Sequence, residues 1–116
     1  MREVRKRKGN EMQELTKKEA YQYVSSDVGK VALYVYSPLC GTCKVATAMM
    51  ETIEKMLPSL HIAKCNINTM PMLAQDLKIK SVPYLAIIQN GHIHYEIYAF
   101  RSIPFLFDTL KKQVIE

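Results

Sequence analysis

Hydrophobic and polar positions change period several times along the chain, and each change marks a predicted element. Val31-Ala-Leu-Tyr-Val-Tyr36 is an unbroken β-branched and aromatic run, the pattern of a central parallel strand buried on both faces. Beyond it Val45, Met49, Ile53, Met56 and Leu57 recur at three- and four-residue intervals, which predicts a helix from about Gly41 to Leu57 with Pro58 behind it. Upstream, Met12–Leu15 reads as a short strand. Thr16 followed by Glu19 is a capping-box pattern that opens a helix through about Ser25, carrying Ala20, Tyr21 and Val24 at helical spacing and ended by Asp27 and Gly29.

Downstream, Leu60–Ile67 is a predicted strand and Pro71–Leu77 a short helix with proline in its first turn. Leu85–Ile88, in a strand from Tyr84, and Ile93–Tyr98 flank Asn90-Gly91, a strong hairpin signal. A last helix, about Ile103–Val114, repeats Phe107, Leu110 and Val114. Alternating β and α elements followed by a hairpin predict an α/β fold, a central mixed sheet flanked by helices on both faces. The right-handed crossover rule leaves few topologies for this order.

With 116 residues the chain forms one domain and one core, so one domain carries the function. The net charge of +5 suggests an acidic partner until its distribution is read. Five basic residues and one acidic residue fall in the first eight, leaving the remainder close to neutral. That octet has no interleaved aromatics, so nucleic-acid binding is not expected. Met1–Glu11 reads as a basic, disordered extension, or as residues from upstream of the native start, ahead of a domain over 12–116. No apolar run approaches the ~18 residues of a membrane span, and the basic start leads into polar GNEMQELTKKEA instead of a signal-peptide core. A cytoplasmic location is therefore expected.

Three cysteines in a reducing compartment point to chemistry more than to a structural framework. Cys40 and Cys43 stand in SPLCGTCK, where the central strand turns into the helix. Free N–H groups and aligned peptide dipoles at a helix N-terminus favour a thiolate, and such positions bring a cysteine pKa from ~8.5 to roughly 3.5–7.5. One helical turn on, Cys43 lies within reach of a disulfide, which needs Cα atoms about 4.4–6.8 Å apart. Cys40 is thus the candidate nucleophile and Cys43 the resolving thiol of a disulfide exchange that needs no metal and no organic cofactor.

A lone CxxC also occurs in zinc sites. The remaining donors are Cys65, His61, His92 and His94, with no second CxxC or HxxxH pair, and the two hairpin histidines are expected to face solvent together. Cys65 alternates with Ala63 and Ile67 and reads as a small core hydrophobe. Met49, Met50, Met56, Met70 and Met72 read as core filler, Met70 and Met72 being candidates also for an apolar rim around the site.

From these residues the chain resembles the thioredoxin family. CGTCK is similar to the family's CGPCK, and LHIAKCNIN, the short helix and IKSVPYLAIIQNG fall in the same order without a gap between Cys40 and Gly91. The resemblance covers about Met12 to Glu116. It implies the thioredoxin fold and reduction of protein disulfides, within electron transport and cell redox homeostasis. It further implies a thioredoxin-reductase-type electron donor, a monomer, and a cis bond at Val82–Pro83 that presents the Val82 backbone to an extended substrate beside the cysteines. Leu39 stands where the family has a tryptophan and becomes a candidate substrate contact. Tyr34 stands where the family has a buried aspartate, and a group of pKa ~10 is a poor base near neutral pH. Lys64 matches the lysine near that aspartate and would be without its partner. Thr42 and Ala48 replace prolines, the second of which kinks the family's helix. A binding or adaptor module of the same fold, with incidental redox activity, is the competing reading. Glutaredoxin-like chemistry is disfavoured because no Gly-Gly pair follows the Val-Pro strand.

Overall fold

A computed structural model describes residues 12–25 and 29–115. The expectations for Met1–Glu11, and for Asp27 as a helix stop, lie outside the described residues. In chain order the elements are β1 (Gln13–Glu14), α1 (Lys17–Val24), β2 (Lys30–Tyr36), α2 (Gly41–Met56), β3 (Ile62–Asn66), α3 (Pro71–Asp76), β4 (Tyr84–Gln89), β5 (His92–Ile97) and α4 (Ile103–Leu110). The five strands form one mixed sheet in the order β1-β3-β2-β4-β5. β1, β3 and β2 run parallel, whereas β4 is antiparallel to β2 and β5 antiparallel to β4.

β2 is central, as its two-sided apolar run requires, with Val31 through Val35 all buried. It is parallel to its neighbour on one side only. Alternate residues supply two apolar layers. On one face Ala32, Leu85 and Ile87 pack against Ala46, Met50 and Ile53 of α2 and Leu106 and Leu110 of α4. On the other, Leu33, Val35, Ala63 and Ala86 pack against Ala20 and Tyr23 of α1 and Leu73 of α3. The sheet is therefore covered on both sides, and both layers are closed by residues that alternate along β2.

Local signals explain most element ends. Thr16 and Glu19 form the reciprocal capping box, Thr16 Oγ1 accepting from Glu19 N–H at 3.2 Å and Glu19 Oε1 accepting from Thr16 N–H at 2.9 Å. Asn90 and Gly91 take positive φ angles of 53° and 80° in the turn from β4 to β5. Three elements depart from expectation. β3 stops at Asn66, whose side chain accepts from Asn68 N–H at 2.9 Å and turns Ile67–Thr69 into a 3₁₀ turn. α4 ends at Leu110 and continues as a π turn over Lys111–Ile115. The third is the rotation of α2: Val45 is 64% exposed and Met56 also faces outward, while the buried stripe runs Cys43, Ala46, Met50, Ile53 and Leu57. Two apolar stripes compete on this helix, and the one containing the second cysteine is the one that packs.

Candidate active site

The C-terminal end of β2 delivers the chain into Ser37-Pro-Leu-Cys40. Ser37 is buried and holds this turn, its hydroxyl oxygen accepting from Leu39 N–H at 3.2 Å and its carbonyl from Cys40 N–H at 3.1 Å. Cys40 is the N-cap residue of α2, and its backbone is extended (φ −99°, ψ 117°). Its carbonyl accepts the first helical bond, from Cys43 N–H at 3.2 Å. The two sulfurs consequently differ in setting. Cys40 is partly exposed, while Cys43 is turned into the protein and only 2% exposed. Both are free thiols.

That asymmetry separates their acidities. The Cys40 thiol is lowered from its ordinary value, first by the hydrogen bond from the Cys43 thiol, then by that of the Thr42 hydroxyl, with the backbone amides of Cys43 and Thr42 adding less. Neighbouring side chains thus outweigh the helix end that the sequence pointed to. Burial, and then the bond to Cys40, push Cys43 up to about 11. Of the two sulfurs, Cys40 is the one that gives up its proton more readily, and Cys43 holds its proton near neutral pH.

The Val82–Pro83 peptide bond is cis, and the Val82 carbonyl oxygen lies 3.8 Å from Cys40 Sγ. Val82 and Pro83 are both partly exposed, immediately before buried Tyr84 opens β4. Leu39 is 87% exposed beside Cys40 in sequence. The candidate substrate residues Leu39, Val82 and Pro83 therefore all have accessible surface at this end of the sheet. Met72 is also open, at 51% exposure, whereas Met70 is buried in the core and takes no part in a rim.

Beneath the site, Tyr34 is fully buried. Its hydroxyl donates to the Cys43 carbonyl oxygen at 3.1 Å and shares a 2.8 Å hydrogen bond with Thr47 Oγ1. Burial is the main reason its phenol is pushed up to about 12, against the smaller lowering effect of the Thr47 bond. It stays neutral at working pH and is no general base. Lys64 is not without a partner. Its Nζ lies 3.8 Å from Glu14 Oε1 on β1, and the same carboxylate accepts from the Tyr36 hydroxyl at 2.8 Å. An acidic residue on the neighbouring strand occupies the lysine instead.

The other donors lie elsewhere. His92 pairs with Gln89 at the hairpin, and the His61 carbonyl accepts from Ala32 N–H near the start of β2, so His61, His92 and His94 sit at the end of the sheet opposite Cys40. His92 and His94 are exposed, but an irregularity in the β4–β5 register leaves His94 without a cross-strand partner and breaks the simple alternation. Among the described residues, no three His, Cys, Asp or Glu side chains are grouped as metal ligands. Cys65 is buried in the second core layer, and burial pushes it up to about 12. Sequence reasoning missed the hydroxyls of Thr42 and Thr47 and the Glu14 carboxylate. Thr47 and Glu14 lie outside any periodic pattern shared with the groups they touch, whereas Thr42 stands two residues from Cys40 within the motif itself.

A family model described as Thioredoxin matches residues 11–112. A thioredoxin-like protein from Bacillus subtilis, YusE, is 33% identical over 102 residues, covering 88% of this chain and 93% of that one. A thioredoxin from Chlamydia caviae is 32% identical over 63 residues, which is 54% of this chain and 62% of the relative. Among solved structures, a mutant thioredoxin from Halobacterium salinarum superposes with a TM-score of 0.77 at 22% identity, covering 90% of this chain and 92% of that one. Mitochondrial thioredoxin 3 from Saccharomyces cerevisiae superposes with a TM-score of 0.74 at 18% identity, covering 87% and 94% of the two chains. At these identities the structural likenesses speak for the fold.

Proposed function

Because the chain belongs to the thioredoxin family of thiol–disulfide oxidoreductases, we propose that it reduces protein disulfides with Cys40 as the attacking sulfur and Cys43 as the resolving one. The observation that carries this reading is the asymmetry of the pair: an accessible, acidified Cys40 one helical turn from a buried, proton-holding Cys43. In the first step the Cys40 thiolate attacks one sulfur of the substrate disulfide, forming a Cys40–substrate bond and releasing the other substrate sulfur as a thiolate. Cys43 then loses its proton to solvent and attacks Cys40 Sγ. The Cys40–Cys43 disulfide forms, the second substrate thiolate leaves, and two electrons have passed from protein to substrate. The reaction draws on the cysteine pair alone, without a metal or organic cofactor.

The working unit is the domain over 12–116, acting as a monomer. Val82 supports docking of an extended substrate through its backbone, Pro83 shapes that wall, and Leu39 adds apolar contact. A reductase of the kind that serves thioredoxins returns the two electrons, and the reducing direction suits a cytoplasmic setting. No described helix is long and apolar enough to cross a membrane.

Insulin reduction by dithiothreitol tests the reading. Wild type accelerates precipitation of the reduced chains, Cys40→Ser abolishes the acceleration, and Cys43→Ser accumulates a mixed disulfide at Cys40. Indistinguishable traces for wild type and Cys40→Ser would replace catalysis with a binding or adaptor role for the same fold.

A further inference from the structure

We propose that the Thr42 hydroxyl is a catalytic group of the exchange, donating a hydrogen bond to the Cys40 thiolate and so setting how strongly the reduced protein is favoured. The proposal rests on Cys40 being the attacking sulfur. Thr42 Oγ1 lies 3.2 Å from Cys40 Sγ. While Cys40 is a thiol either atom can be the donor. Once the proton has left, only the hydroxyl carries a hydrogen, and the direction of the bond is fixed.

The position of Thr42 frees its hydroxyl for this task. A threonine inside a helix ordinarily bonds a carbonyl one turn back, and Thr52 of the same helix does so, to the Ala48 carbonyl at 3.2 Å. Thr42 is the second residue of α2, and one turn back from it lie Pro38 and Leu39, before the helix begins. Its hydroxyl turns to the sulfur of the N-cap residue instead. A proline between the cysteines would offer no such donor.

The bond discriminates between redox states. An anionic sulfur is a strong acceptor, and bonds to charged groups are roughly twice as strong as neutral ones. In the Cys40–Cys43 disulfide the same sulfur is neutral and accepts weakly. Stabilising the thiolate alone therefore lowers the pKa of Cys40 and moves the dithiol–disulfide equilibrium toward the dithiol. It also tempers each thiolate as a nucleophile, since nucleophilicity falls with pKa at a Brønsted slope of about 0.4–0.5.

The test compares wild type with Thr42→Val and Thr42→Ala, which lack the donor, and Thr42→Ser, which keeps it. Two quantities are read: the pH dependence of iodoacetamide labelling, with the labelled cysteine located by mass spectrometry, and the equilibrium constant against a dithiothreitol redox buffer. Thr42→Val and Thr42→Ala should raise the apparent pKa of Cys40 and move the equilibrium about three- to tenfold toward the disulfide, roughly 15–30 mV at about 30 mV per tenfold. Thr42→Ser should stay within about twofold of wild type, because it retains the charge-assisted bond. Unchanged values in the donor-less variants, or a Thr42→Ser shift equal to theirs, overturn the role of the hydroxyl. Labelling of Cys43 before Cys40 in wild type would instead overturn the assignment of the attacking sulfur.

Discussion

Replacing Tyr34 with phenylalanine isolates what its hydroxyl does beneath the cysteines. The ring stays, with its stacked contact to Tyr36 at 6.0 Å and its edge contact to Phe100 at 5.7 Å, so little apolar burial is lost. What disappears are the bonds to the Cys43 carbonyl and to Thr47 Oγ1. Each such bond is worth about 0.5–1.5 kcal/mol net. The loss is partly recovered because Thr47 sits four residues after Cys43 and can turn its own hydroxyl to that carbonyl. We expect Tyr34→Phe to lower the stability of the reduced protein by about 1–2 kcal/mol. Thr47→Val should act in the same direction. Since removing both partners of a buried pair costs less than orphaning one, the double variant should be less destabilised than the sum of the singles, by about 0.5–1 kcal/mol. Guanidinium unfolding of the three variants, with unchanged m-values, measures this cycle. A Tyr34→Phe midpoint equal to wild type, or strict additivity, would refute the coupling of Tyr34 to the resolving-cysteine turn. Because the phenol titrates only near 12, its removal should leave the pH profile of insulin reduction unchanged between pH 6 and 9.

The reduced protein should show a stability maximum near pH 8.5. Cys40 titrates lower when folded, so it adds stability as pH rises from its folded pKa to the unfolded value of ~8.5, while Cys43 and Cys65, raised to about 11 and about 12, remove stability above that value as the unfolded thiols ionise first. Unfolding midpoints from pH 6 to 11 check this, and a monotonic rise through pH 10 would contradict it. Leu39→Ser should raise KM for a protein disulfide by roughly fivefold or more while leaving a small-molecule disulfide unaffected and stability within about 0.5 kcal/mol; equal effects on both substrates would remove Leu39 from the docking surface. Lys64→Met should cost at most about 1 kcal/mol, as the ion pair with Glu14 is partly exposed. Tyr36→Phe, which takes a hydroxyl from that carboxylate, should cost about 1.5–3 kcal/mol, and the reverse order in denaturation midpoints would place the energy in the ion pair instead.

The elements were legible where the signal was local. A capping box, a two-sided apolar run and an Asn-Gly turn each speak through residues within a few positions of one another, and the mixed sheet covered on both faces followed from their order. α2 shows where local reading stops. Its length was evident, yet Val45, Met49 and Met56 on one stripe and Ala46, Met50 and Leu57 on another are both apolar, and periodicity cannot choose between them. The sheet chooses, because only the second stripe brings Met50 and Ile53 against Ala32 and Ile87.

The cysteine pair was legible for the same reason as the capping box, since three residues on a helix span one turn. Val82 lies 42 residues from Cys40 and reached the site through family resemblance. The hydroxyl partners had neither route. Tyr34 and Thr47 are 13 residues apart on a strand and a helix, and Glu14 and Tyr36 are 22 apart on two strands that do not pair directly. Tyr34, buried beneath Cys43, brings a hydroxyl donor that needs a partner. Thr47 answers that need from the next turn of α2, and Glu14 answers the corresponding need of Lys64 from β1. Beneath Cys43 the Tyr34 hydroxyl meets only neutral groups, the Cys43 carbonyl and Thr47 Oγ1, whereas at Cys40 the Cys43 thiol and the Thr42 hydroxyl both bond the sulfur.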